Sequence, residues 1–414
     1  MEFKKKILDK VTSGDVSCSR FHRTKLRNGL TVLFEKRDVP VTTVMLAAKY
    51  GAAYEVAEEK GMAHFMEHLC FKGTEKRSVK QIAEEVERVG GDLNAFTHEE
   101  LTAYHVKLPS EHLGVAMDVI FDIFFNASFP EEEVEKEANV ICEEIKMYRD
   151  SPRMYAVEMI KKNLYEAPFG DFIGGSQENV KGMTREDLFA KHRKMYVPSN
   201  SVLCVVGNNE FDEVVEMAES MCVDREDVSV KVPKIKKRDI KSSEKRKGVE
   251  QTNLVLGFHF PYAGEDGRYV AELFSTILGQ GMSSKLFTEV REKRGLVYSV
   301  KTDLDLGKEY GYMIIWAGTD EGKRQEVVDI CLEEFKKMGK ISKEELDAAK
   351  VQVVGNRHVE MEGSNETAIN LIMEEISGDA NDYYNYEKKI GAVGLSDIKK
   401  LAKISEYASF SLGP

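Results

Sequence analysis

His64-Phe65-Met66-Glu67-His68 places two imidazoles and a carboxylate within a single short stretch. At about 100° per residue, His64 and His68 fall on one face of a helix, one turn apart, so both can grip one Zn²⁺. Glu67 lies beside them, close enough to take a proton from a water held by such a metal. Two histidines do not complete a catalytic zinc site, because a third protein ligand is needed and the fourth position stays open. The acidic stretch Glu131–Arg149 is the place to look for it. Val134, Ala138, Ile141 and Ile145 define the apolar face of a helix there. Glu137 and Glu144 flank that face, roughly 60–80° to the same side of it, and Glu143 points about opposite. Glu144 or Glu137 can therefore reach inward, and Glu143 should face solvent.

The elements that must carry these residues follow from periodicity. Leu30–Phe34 after Asn28-Gly29, Thr42–Ala48, Leu93–Thr97, Thr102–Leu108 and Ser201–Gly207 read as strands from their β-branched and aromatic content. Helical spacing covers Gly61–Phe71, Val79–Val89, Glu111–Phe125 and Glu131–Arg149. The second half repeats the order: a strand over Asn253–Phe258, an apolar helix over Tyr269–Leu278, a helix over Lys285–Lys293, then Gly295–Val300 and Tyr312–Trp316 as strands. This predicts an α+β chain of two similar lobes, each a mostly antiparallel sheet packed with helices and related by internal duplication. The expected division is an N-terminal metal-binding lobe over 1–229, a basic linker over 230–247 and a C-terminal lobe over 248–414. Zinc-type residues occur only in the first copy, so one lobe carries the chemistry.

Composition narrows the setting. A chain of 414 residues, 42% hydrophobic and 31% charged, is long enough for two cores and matches a globular protein. A net charge of −12 argues against a dedicated nucleic-acid binder. The six cysteines form no C-x-x-C pair, which excludes a thiolate knuckle and suits reduced thiols in a cytosol-like compartment. Cys70 and Cys142 each lie two residues from a candidate ligand and point away from it, as small buried hydrophobes. His98 and His105 read as surface or strand residues. The apolar stretch His112–Phe129 carries Asp118 and Asp122 and reads as a core helix, so no membrane span is expected. The N-terminal residues show no secretory pattern.

Gly61 to Thr74, with its H-x-x-E-H order, strongly resembles the pitrilysin/insulinase family of inverzincin metallopeptidases, in its half-size, processing-peptidase-like branch. Val140-Ile141-Cys142-Glu143-Glu144-Ile145 resembles the family's third-ligand segment, with Cys142 in place of a usual Leu. The resemblance implies a zinc-dependent endopeptidase holding one Zn²⁺ per chain on His64, His68 and Glu144. Glu67 would be its general base toward a zinc-held water, and Glu137 the accessory glutamate behind a ligand. Gly90-Gly91 with Asn94-Ala95-Phe96-Thr97 matches the edge strand that pairs with substrate, so Asn94, Ala95 and Phe96 are expected to bind unfolded or extended peptides. Tyr196–Asn200, Val205–Gly207, Leu278–Phe287 and the closing Leu412-Gly413-Pro414 match as well. Arg291 and Tyr298 match an Arg/Tyr pair that contacts substrate near the zinc, where a cation and a phenol can bond a carbonyl oxygen. Both parts of the apparatus lie in one chain, which implies a homodimer rather than an obligate heterodimer. In long relatives the lobe facing the zinc is the last one, so here it is expected from the other subunit, with each site shared between chains. A cytoplasmic setting is expected, with an organelle matrix as the alternative. The competing readings are a non-catalytic, core-like subunit of the same fold and a peptide-binding holdase.

Overall fold

Strands that lack polar alternation must be covered on both faces, and the chain does this by exchanging helices between its halves. The computed structural model describes residues 20–263 and 267–414. The first half runs β1 (Phe21–Lys25), β2 (Thr31–Lys36), β3 (Val41–Ala48), α1 (Met62–Cys70), α2 (Val79–Glu87), β4 (Asp92–Thr97), β5 (Thr102–Pro109), α3 (Leu113–Asn126), α4 (Glu131–Asp150), α5 (Pro152–Leu164), α6 (Gln177–Gly182), α7 (Arg185–Met195), β6 (Ser201–Gly207) and α8 (Phe211–Met221). The second half runs β7 (Lys241–Lys245), β8 (Thr252–His259), α9 (Gly267–Gly279), a π-helical turn (Phe287–Glu292), β9 (Val297–Leu306), β10 (Gly311–Thr319), α10 (Arg324–Lys337), α11 (Lys343–Glu360), α12 (Ser364–Ser377), α13 (Tyr386–Ala392), α14 (Leu395–Leu401) and β11 (Ala408–Gly413).

The two sheets have one plan. The first is ordered β1-β2-β6-β3-β5-β4 and the second β7-β11-β8-β10-β9. Leaving β1 aside, each sheet begins with a parallel pair (β2 with β6, β7 with β11) and its remaining neighbours are antiparallel. Strand β1 is the addition in the first sheet. The α+β reading with two similar lobes therefore holds, down to the matching strand orders.

One face of the first sheet packs Val44, Leu46 and Leu203 against Phe65, Met66 and Phe124. Its other face packs Met45, Val202 and Cys204 against Leu371 and Ile372 of α12, a second-half helix. The second sheet reciprocates: Val255, Ile314 and Phe410 pack on Ala156, Ile160 and Leu164 of α5, a first-half helix. Gly257 permits that contact, since a Cβ there would stand 2.8 Å from Leu164 Cδ1. Linear periodicity shows that these faces are apolar but not which half covers them.

Other departures are local. The stretch expected to be a solvated connection contributes a strand, because Lys241–Lys245 pairs in parallel with β11. Its side chains are almost all exposed, so its composition carries no strand pattern. Strand β1 and helices α5–α8 and α10–α14 were not singled out from sequence. The helix expected over Lys285–Lys293 is helical, with π geometry over Phe287–Glu292. The five cysteines among the described residues are free; Cys18 lies outside them.

Candidate metal centre and cleft

Helix α1 buries Met62, Ala63, Phe65, Met66, Leu69 and Cys70. Positions 64, 67 and 68 are left on the opposite face by helical spacing. The start of α1 is held by a carboxylate: Gly61 N–H and Ala63 N–H donate to the two oxygens of Glu55 at 3.0 and 2.7 Å. Glu55 is fully buried, and burial raises its carboxyl against the opposing pull of Lys60 and the two backbone bonds. A negative group at a helix N-terminus also meets the positive end of the helix dipole. Gly61 has φ +101°, and a Cβ there would lie 2.6 Å from Gly174 O, so only glycine enters the helix this way.

His64 Nε2 and His68 Nε2 each lie 3.7 Å from Glu144 Oε2 of α4, and the three donor atoms lie within 4.8 Å of one another. Tetrahedral zinc with bonds of about 2.0–2.1 Å separates its ligand atoms by roughly 3.3 Å, so the set fits a zinc ion after small side-chain movements. The tautomers fit as well. His68 Nδ1 donates to Glu137 Oε2 at 3.0 Å, and Lys72 Nζ holds the other Glu137 oxygen at 2.8 Å. That bond leaves Nε2 of His68 free for a metal. Burial, and then the neighbouring His68, pull His64 down to about 4, which keeps it as the neutral imidazole that ligates metals. Burial alone would lower His68, but the Glu137 bond and the surrounding carboxylates raise it overall. Glu137 is held below its ordinary value: burial opposes ionisation, and His68 and Lys72 outweigh it.

Glu67 does not join the donor cluster. Thr97 Oγ1 at the end of β4 donates a short hydrogen bond to Glu67 Oε2. Burial raises the Glu67 carboxyl, against the Thr97 bond. Glu143 points outward, 73% exposed, and pairs with Lys146 at 2.6 Å.

These groups open into a cleft of about 1030 Å³ lined by His64, Glu67 and Glu144, by Ala95, Phe96 and Thr97 of β4, and by Lys301, Asp303 and Asp305 of β9 with Trp316 of β10. The far wall comes from the same chain's own second lobe. The duplication brings this about, because β4 and β9 are equivalent edge strands and the exchanged helix α5 ties the second sheet against the first. Asn94 does not line the cleft; its Oδ1 accepts from Ala95 N–H at 2.8 Å. Arg291 and Tyr298 do not line it either. Arg291 stacks over Phe287 and Tyr298 at 4.6 and 5.5 Å from the ring centroids, and Tyr298 is 80% exposed. His98 turns toward the second lobe, 3.9 Å from Asp305.

Sequence reasoning missed Glu55 and Lys72 as parts of this site, and read Thr97 only as part of the edge strand, not as the partner of Glu67. Lys72 had a legible signal, one turn beyond His68 on the same helical face. Glu55 and Thr97 reach α1 through tertiary contacts, which spacing does not show.

A duplicated α+β chain with a metal-type donor set in its first lobe defines a recognisable class. A profile described as "Insulinase (Peptidase family M16)" matches residues 31–173, and one described as "Peptidase M16 inactive domain" matches residues 182–353. A Rickettsia felis "uncharacterized zinc protease" is 36% identical over 342 residues, covering 81% of this chain and 82% of that protein. The Bacillus subtilis zinc protease YmxG is 31% identical over 403 residues, covering 95% and 98%. Among solved structures, a protease from Helicobacter pylori aligns with TM-score 0.89 at 23% identity, over 95% of this chain and 99% of that one. A chain of complex III2 from Candida albicans aligns with TM-score 0.84 at 18% identity, over 95% of each. These two structures share the fold. The chain belongs to the insulinase family of peptidases, family M16, as a half-size member.

Proposed function

We propose that this protein is a zinc-dependent metalloendopeptidase that cleaves unfolded, extended peptides and binds one zinc per chain. The observation that carries the reading is the convergence of His64, His68 and Glu144, beside a half-buried Glu67 that is outside their donor cluster, on the wall of one cleft. Zinc held by His64, His68 and Glu144 would supply Lewis acidity toward a peptide carbonyl and a bound water. Glu67 takes the proton of the attacking water and returns it to the leaving amine, a role suited to a carboxyl raised by burial. Thr97 keeps that carboxylate aimed. Glu137, fixed by Lys72, orients His68. Strand β4 is the edge of its sheet, so an extended peptide can add to it along Asn94, Ala95 and Phe96. A folded substrate has no free strand to offer there. A purely core-like, non-catalytic subunit gives no reason for this donor set.

The working unit in this proposal is a homodimer. Arg291 and Tyr298 sit outside their own chain's cleft with Tyr298 exposed, which suits delivery to the zinc site of a second copy. The first lobe, 1–229, carries the metal and the second, 248–414, the Arg/Tyr contact. Free cysteines support a reducing, cytoplasm-like compartment, and among the described residues no helix is long and apolar enough to cross a membrane. Metal analysis with a quenched-peptide assay tests the activity. Stoichiometric zinc and cleavage abolished by chelator are expected, and zinc-replete protein that cleaves no member of a mixed peptide library would overturn the reading.

A further inference from the structure

The turn between β4 and β5 is held from three sides. Residues 98, 99 and 100 follow directly on Thr97, which bonds Glu67. Each of the three meets a strand or hairpin of the second lobe or the helix exchanged onto the second sheet. His98 faces Asp305 of β9. Glu99 forms an ion pair with Lys161 of α5. Glu100 Oε1 accepts from Lys308 N–H, in the β9–β10 hairpin, at 2.7 Å. Glu99 and Glu100 are 1% and 2% exposed and Lys161 is 8% exposed, so the pair is largely buried, with Glu99 and Lys161 also forming part of the cleft wall. On the remaining side, Ala52 and Ala53 N–H donate to His98 O and Glu99 O at 3.1 and 2.7 Å. A Cβ on Gly51 would stand 2.2 Å from His98 O, so the two segments lie as close as backbone permits. Two residues beyond Ala53 lies Glu55, which caps α1.

We infer that the Glu99–Lys161 ion pair is a positioning device, through which the second lobe sets the orientation of Glu67 by way of Thr97. This deepens the proposed function and rests on Glu67 being its base. The physical case is one of leverage and isolation. Lys161 rides on α5, whose apolar face is packed on the second sheet, so it moves with the second lobe. Lys60 also contributes its field at Glu99, and with Lys161 it outweighs burial and keeps the carboxylate charged. A largely buried ion pair adds little net stability, and releasing one partner leaves an uncompensated charge, so what the pair contributes here is a defined geometry. Glu99 is two residues from Thr97 in a turn closed by His98 N–H donating to Leu101 O at 2.8 Å, which is the route by which a displaced Glu99 would carry Thr97 with it. Misplacement of a reacting group by about 1 Å costs on the order of 10²-fold in rate.

The test replaces the pair and reads both chemistry and structure. Lys161→Met should lower kcat by about 10–100-fold with KM within about threefold of wild type and zinc content unchanged. Lys161→Arg should restore most of kcat. Because Lys161→Met strands a buried carboxylate, Glu99→Leu with Lys161→Met is made alongside it. The double variant should fold with a near wild-type melting temperature and keep the low kcat, whereas a merely structural pair would recover both. In metal-free protein, amide exchange over residues 95–101 should be at least about tenfold faster in either Met variant. Wild-type kcat in the folded double variant, or unchanged exchange over 95–101, overturns the inference. If wild-type protein cleaves nothing, the proposed function fails, and the exchange arm alone decides whether the second lobe holds Thr97.

Discussion

Glu67 and Glu144 are both carboxylates beside the His64–His68 pair, and their surroundings differ. Glu144 Oε2 stands 3.7 Å from both imidazole Nε2 atoms, whereas Glu67 is turned aside onto Thr97. Glu67→Gln should therefore keep stoichiometric zinc and lose roughly 10²-fold or more in turnover, the scale of a general base. Loss of metal with activity per zinc preserved would reverse that assignment. Glu144→Gln should abolish tight zinc binding. Glu137→Gln should weaken it by about 10–100-fold, because it frees His68 and strands Lys72. Glu143→Gln should leave it unchanged, since that side chain pairs with Lys146 in solvent. Zinc titration of the three variants decides, and equal effects at 143 and 144 would sink the assignment. These residues were legible because a helix converts spacing into direction: 64, 67 and 68 share a face, and 143 and 144 cannot. Thr97 and Glu55 were not, because their partners lie on elements that spacing cannot bring together.

Helices in the first lobe are locked by contacts that depend on charge state, and α7 shows how. His192 is fully buried and its Nε2 bonds Phe124 O at 2.8 Å, joining α7 to α3. Burial, and then Arg225, pull it from its ordinary 6.5 down to about 3. The folded protein keeps His192 neutral where the unfolded chain protonates it, so between those two values the unfolded state binds the extra proton. Stability should consequently fall as pH drops from about 6.5 toward 3, by about 1.4 kcal/mol per unit at most from this group. His192→Gln, which retains a donor for Phe124 O, should flatten that limb by on the order of 3 kcal/mol between pH 6.5 and 4. Urea unfolding at several pH values measures it, and parallel curves for the two proteins would show that His192 carries none of the dependence. At this scale most strands of both sheets were readable from β-branched runs; β1, β7 and β11 were not, and β7 could not be, since its five residues are Lys, Ser, Ser, Glu and Lys. Its strand geometry comes from pairing with β11.

The whole molecule places a metal-type site in one lobe and an Arg/Tyr pair in the other, on a surface outside that cleft. If the active form shares its sites between two chains, Glu67→Gln and Arg291→Ala homodimers should each be nearly dead. A mixed dimer then pairs one intact first lobe with one intact second lobe. About half of one normal dimer's activity should return on subunit exchange, provided the sites act independently. No recovery, with exchange confirmed by native mass spectrometry, would refute sharing in trans. The helices exchanged within each chain bear on this design. With α5 on the second sheet and α12 on the first, the two halves of one chain are interlocked through their exchanged helices.

From sequence alone, the chain's local chemistry and its repetition were determined. A histidine pair one turn apart, a glutamate beside it, carboxylates on one side of an acidic helix and a repeated order of strands and helices all follow from fixed periods. Each period is a property of backbone geometry that residue types report directly. What only the tertiary structure decided were relations between distant segments: Glu55 capping α1, Thr97 aiming Glu67, α5 and α12 changing sheets, and Glu99 meeting Lys161. Such pairings depend on which of several equally apolar faces find each other and on which buried charges must then be neutralised. The first is settled by packing over the whole chain and the second by the desolvation that packing imposes.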